Sequence, residues 1–200
     1  MELERALSDL AEVRDRLAHL QRFEGYSGPA AAASGIVALI AGGVQFVLVP
    51  HPSGAAALHL YLIVWLGCLL TALLLNYGAV LAWVVKHRAP GAKSRFRSAA
   101  LSIAPSVLMG GALTLALIDN GQYALLPGTW FGFYAIGLFA SHGVIPDSAL
   151  AIAFGFALLA ILFLASPLAS LALAWWVMPL GFGIGQTGIG LLLWRSRTQD

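Results

Sequence analysis

Charge is what this sequence has least of. Only 10% of its 200 residues are Asp, Glu, Lys or Arg, where an ordinary soluble domain carries about 25%. None occurs between Glu24 and Lys86, between Arg97 and Asp119, or between Asp147 and Arg195. Gaps of that length exclude a water-soluble fold, a disordered chain and a nucleic-acid binder, because each needs charge for solvation or for meeting phosphate. Cysteine is nearly missing too. The single Cys68 excludes an internal disulfide and, placed inside an apolar run, reads as a small packing residue. Ionisable groups well inside an apolar segment are also missing, which speaks against a proton-coupled pump, a voltage sensor or a carrier built on a buried carboxylate. Asp119 and Asp147 fall at segment ends and read as turn and cap residues. His51 and His59 lie eight residues apart without an acidic or thiol neighbour, and two ligands do not make a metal site. With no HExxH, GxSxG, Walker loop, GxGxxG or CxxC in usable context, neither enzyme activity nor a metal or cofactor is expected.

What fills the space is apolar. Hydrophobic residues make up 60% of the chain, and the mean hydropathy is +0.84. About 20 apolar residues in a helix cross the hydrocarbon layer. Six segments meet or approach that length: Ala30–Val49, Ala57–Val85, Ala99–Ile118, Tyr123–Ser141, Ala149–Ala165 and Leu168–Trp194. They are separated by turn-forming groups such as Pro50-His51-Pro52, Asp119-Asn120-Gly121 and Pro146-Asp147-Ser148. Helices are the only spanning choice at these lengths, because lipid offers the backbone no hydrogen bonds. The expectation is an all-α, polytopic membrane helical bundle. Residues 1–24 form a cytoplasmic amphipathic helix, 25–194 a six-helix transmembrane domain and 195–200 a cytoplasmic tail. The first 24 residues, polar and of mixed charge, do not resemble a secretory signal, so the first span is expected to act as an uncleaved anchor.

Orientation follows from the basic residues. Arg5, Arg14, Arg16 and Arg22 precede span one; Lys86, Arg88, Lys93, Arg95 and Arg97 follow span two; Arg195 and Arg197 follow span six. With an even number of spans all 11 Lys and Arg share one side, which places both termini in the cytoplasm. Trp83 and Trp194 sit at that boundary, and Tyr61, Tyr123, Trp175 and Trp176 are expected at the opposite headgroup level.

The N-terminal segment carries Leu3, Ala6, Leu10, Val13, Leu17 and Leu20 in a 3,4 repeat, the seam of a short coiled coil. Its four basic and six acidic residues sum to −2. A lipid-surface helix would be rich in Lys and Arg on its polar face, so the seam is read as docking on protein: its own bundle, a second copy as a homo-oligomer, or a cytoplasmic partner.

Neutral polar residues mark one depth. Asn76 lies ten residues before Lys86, Gln186 nine before Arg195 and Ser106 nine after Arg97, each about 14–15 Å from the basic boundary. Tyr77 and Thr187 are their neighbours, and Pro105 and Pro179 loosen the nearby backbone. Spans two, three and six are thereby predicted to meet around a polar centre, either for interhelical hydrogen bonding or as a pocket for a neutral ligand. Small residues at four-residue spacing (Ser34, Ala38 and Gly42; Ser102, Ser106, Gly110 and Thr114; Gly181 and Gly185) predict close packing. Span five has no polar stripe and is expected to face lipid.

The run from Leu17 to Gly28 into the Ala-rich first span, the segment Leu126-Pro-Gly-Thr-Trp-Phe-Gly-Phe-Tyr and the ending Gly181-Phe-Gly-Ile-Gly-Gln-Thr-Gly-Ile-Gly together resemble an uncharacterised bacterial six-span integral membrane protein family. This chain departs from the resemblance at Gln186, where many relatives carry His. The resemblance implies a bacterial inner-membrane address, and a link to the winged-helix regulator often encoded beside such proteins. It carries over no catalytic or binding residue. Two functions are expected in competition: a non-enzymatic structural or regulatory membrane protein with a docking helix, and a small facilitator for a neutral or hydrophobic compound.

Overall fold

A computed structural model describes residues 27–87, 92–141, 149–165 and 170–198. The predicted N-terminal seam of Leu3, Leu10, Val13, Leu17 and Leu20 lies outside the described residues, as do His142, Asp147 and Ser148.

The described residues form six α-helices: α1 (Gly28–Leu48), α2 (Ala55–His87), α3 (Ala92–Asp119), α4 (Leu126–Ala140), α5 (Ala149–Ala165) and α6 (Ile184–Thr198). Three helical stretches are long and apolar enough to cross a membrane: Gly28–Leu48, Ala55–Trp83 and Tyr123–Ala140. Ile103–Asp119 and Ala149–Ala165 are shorter apolar helices. Local chemistry sets the ends. Ser27 caps α1 by accepting from the Ala30 N–H at 3.3 Å, with Pro29 in the first turn. At the end of α3 the Gln122 N–H reaches the Leu117 carbonyl at 2.8 Å and the Gly121 N–H reaches that of Ile118 at 3.0 Å. That closure requires a left-handed residue, and Gly121 supplies it at φ 69°.

The helices follow one another around the bundle as α2, α1, α6, α5, α4, α3. Packing is close between α1 and α6, α1 and α2, α3 and α4, and α4 and α5; α5 meets α6 lightly, and α2 meets α3 lightly. The α1–α6 pair is antiparallel and nearly backbone to backbone. Gly28, Ala31, Gly35, Ala38, Gly42 and Gln45 repeat at 3,4 spacing and are buried. A methyl group at Gly28 would stand 2.8 Å from the Gly190 carbonyl oxygen, and one at Gly190 would stand 2.6 Å from the Ala32 nitrogen. Gly35 faces Thr187 and Gly183, and Gly42 faces the Pro179 ring. With no hydrophobic driving force between helices in lipid, such close approach maximises dispersion contact.

Three expectations change in detail. The sixth segment does not run as one helix from Leu168. Residues 170–176 are irregular, helix begins at Val177, and Pro179–Gly183 form a π-helical turn before α6. Pro179 lacks the N–H that an α-helix would need, and the wider turn accommodates its ring against Gly42. Second, α5 does more than face lipid: Ala149, Ala153, Phe156, Ala160 and Phe163 make a buried face, while Phe154, Leu158 and Ile161 stay exposed. Alternating Ala and Phe at 4,3 spacing makes that face without polar atoms. Third, Tyr61 is fully buried within the bundle and turned to Trp130, with ring centroids 6.3 Å apart and planes 6° apart. The core between α4, α5 and the start of α6 is aromatic. Phe182 lies 5.3 Å from each of Phe131, Tyr134 and Phe156, and Gly181 and Gly185 leave room for Phe131 and Phe156.

Candidate functional site

The predicted mid-depth residues are placed on three different helix pairs. Asn76 of α2 donates to Ser34 Oγ of α1 at 2.6 Å and to the Ala72 carbonyl at 2.9 Å, and the Ser34 hydroxyl donates in turn to the Ala30 carbonyl at 2.9 Å. Gln186 of α6 donates to the Tyr134 hydroxyl of α4 at 2.6 Å. Ser106 of α3 is buried, and its Oγ lies 3.7 Å from where a side chain at Gly137 of α4 would begin. Thr187 donates to the Gly183 carbonyl of its own helix at 2.8 Å and faces Gly35. Tyr77 is partly exposed on α2. The structure therefore pairs Asn76 with α1 and both Ser106 and Gln186 with α4. Each side chain sits at a separate interface.

A second polar group escaped the sequence reading. It lies at the end of the bundle where α1 finishes and α2 begins. Gln45 is fully buried and uses both ends of its amide. Its Nε2 donates to the Leu173 carbonyl at 2.8 Å, and its Oε1 accepts from Trp65 Nε1 at 2.7 Å. Leu173 belongs to the irregular stretch before α6; the Leu171 and Ala174 carbonyls there accept from the N–H groups of Ala174 and Val177, and the Gln45 amide takes the Leu173 carbonyl. The Trp175 N–H reaches the Pro50 carbonyl at 3.2 Å, and the Trp175 ring meets Phe46 edge-on at 5.0 Å. α1, α2 and the start of the sixth segment are thus tied at one point. Nearby, Trp130 Nε1 donates to Thr114 Oγ1 at 2.8 Å, and Thr114 donates to the Gly110 carbonyl at 2.7 Å, joining α4 to α3. The Tyr61 hydroxyl, stacked beside Trp130, is buried without a hydrogen-bond partner among the described residues.

One signal would have found Gln45. It continues the 3,4 repeat of Gly28, Ala31, Gly35, Ala38 and Gly42, and an amide in register with a small-residue seam must bond across it. Trp65 carried a signal as well, since it lies ten residues inside α2, away from either headgroup level. Tyr134 and Trp130 carried none that separates them from ordinary aromatic packing.

Chemically the arrangement is a set of neutral hydrogen bonds between helices. His51, His59 and Cys68 do not join it, and among the described residues no three His, Cys, Asp or Glu side chains gather as metal ligands. Comparison with family models, with curated proteins and with solved structures finds no match to this chain, so its reading rests on its own geometry.

Proposed function

We propose that this chain is a six-span bacterial inner-membrane protein with a structural or regulatory, non-enzymatic role, both termini on the cytoplasmic side. On this reading residues 1–24 dock a protein, either a second copy or a soluble partner. The observation that carries the scaffold reading is Gln45. A polar group kept for cargo presents its donors and acceptors to a cavity, whereas the Gln45 amide is satisfied at both ends by its own chain. Asn76 and Gln186 are likewise bonded across helix pairs, and interhelical bonds of this kind contribute about 0.6–2 kcal/mol each. The distribution of all 11 Lys and Arg supports the topology.

A facilitator for a neutral or hydrophobic compound is the second reading. It is favoured by the irregular entry to the sixth segment and by the unpaired Tyr61 hydroxyl, since discontinuous helices line many transport sites. A cysteine placed at Ser106 in a Cys68→Ala background separates the two. A scaffold leaves that thiol unlabelled by a membrane-impermeant maleimide in intact vesicles; rapid labelling from either side overturns the scaffold in favour of a pathway. Topology is read independently: alkaline phosphatase fused after Asp200 is expected to be inactive, and strong activity rejects the six-span arrangement. Deleting residues 2–22 is expected to reduce oligomer size or to release a partner.

A further inference from the structure

We draw no further inference here: the strongest candidate, the outward apolar face that Ile63, Leu70, Leu74, Leu81 and Val85 leave exposed along α2, is an unpartnered helix face, and nothing in the structure shows what covers it.

Discussion

The α1–α6 and α2–α3 junctions are both helix pairs in the same bundle, and they are built in opposite ways. α1 presents Gly28, Gly35 and Gly42 to Gly190, Thr187 and Pro179, so the two backbones touch. α2 meets α3 lightly and turns Leu74, Leu81 and Val85 outward. Where lipid is as apolar as the side chains, burying leucine gains nothing by itself, and closeness is set by how little stands between the backbones. The glycine seam is where two backbones touch, and α2 is its outer neighbour. Gly42 and Gly43 show the same contrast within one turn: a methyl group at Gly42 would strike Pro179, while one at Gly43 would meet nothing within 4 Å.

The largest effect is expected at the seam itself. Gly35→Val would drive a branched side chain against the Thr187 nitrogen and the Gly183 carbonyl, 2.7 and 2.8 Å from a Cβ at that position. Backbone cannot swing aside, so a loss of about 3 kcal/mol or more is expected. It would appear as collapse of the monodisperse peak on fluorescence-detected size exclusion, and an intact peak with an unchanged melting temperature would break the contrast. Next comes the glycine pair. Gly42→Ala should lose about 1–3 kcal/mol, while Gly43→Ala should be neutral or gain up to about 1 kcal/mol from helix propensity. Parallel thermal melts in detergent check this, and equal shifts would remove the distinction between the two faces of α1.

Gln45→Leu leaves the Leu173 carbonyl and the Trp65 indole without their partner, for an expected loss of about 1–2 kcal/mol. Hydrogen exchange at residues 170–176 should rise in the same variant, and unchanged protection there would mean that the amide does not hold the irregular segment. Asn76→Leu, at the α1–α2 interface, should lose about 0.6 kcal/mol; a melting shift as large as that of Gln45→Leu would show that the α1–α2 contact matters as much as the tie at Gln45. Leu74→Ala on the outward face of α2 is expected within about 0.5 kcal/mol of the parent, and a larger drop in melting temperature would show that this face packs on protein.

Much of the helical content was legible because it depends on near neighbours. The ends of α1 and α3 follow from Ser27-Gly28-Pro29 and from Asn120-Gly121, whose capping is local. The close approaches at Gly181 and Gly185 were legible for the same reason, a missing side chain reading as room for a neighbour, whereas Gly110 meets Phe133 only at ordinary contact distance. The identity of that neighbour was not legible. Asn76, Ser106 and Gln186 each lie nine or ten residues from a basic residue at the end of their segment, which is a matter of counting at a fixed rise. Whether they meet depends on the rotation of three helices about their own axes, which no single helix encodes. The break at residues 170–176 was hidden in the same way, because side-chain hydropathy does not report whether the backbone that carries it is helical. Only a buried amide on another helix makes the irregular form tolerable there.

By itself the sequence determined that the chain is helical, where its apolar segments lie, which ends carry cations and which faces are small. Each of these is a property of composition, period or short-range capping. Tertiary structure alone decided that Gln45 ties α1 to Trp65 and Leu173, that Tyr61 is buried against Trp130, that Asn76 bonds to Ser34 and Gln186 to Tyr134, and that Ser106 packs beside Gly137. Those pairings span up to 128 residues of chain, and their partners are chosen by packing, because each polar group in an apolar surrounding takes the bond that the closest backbone approach brings within reach.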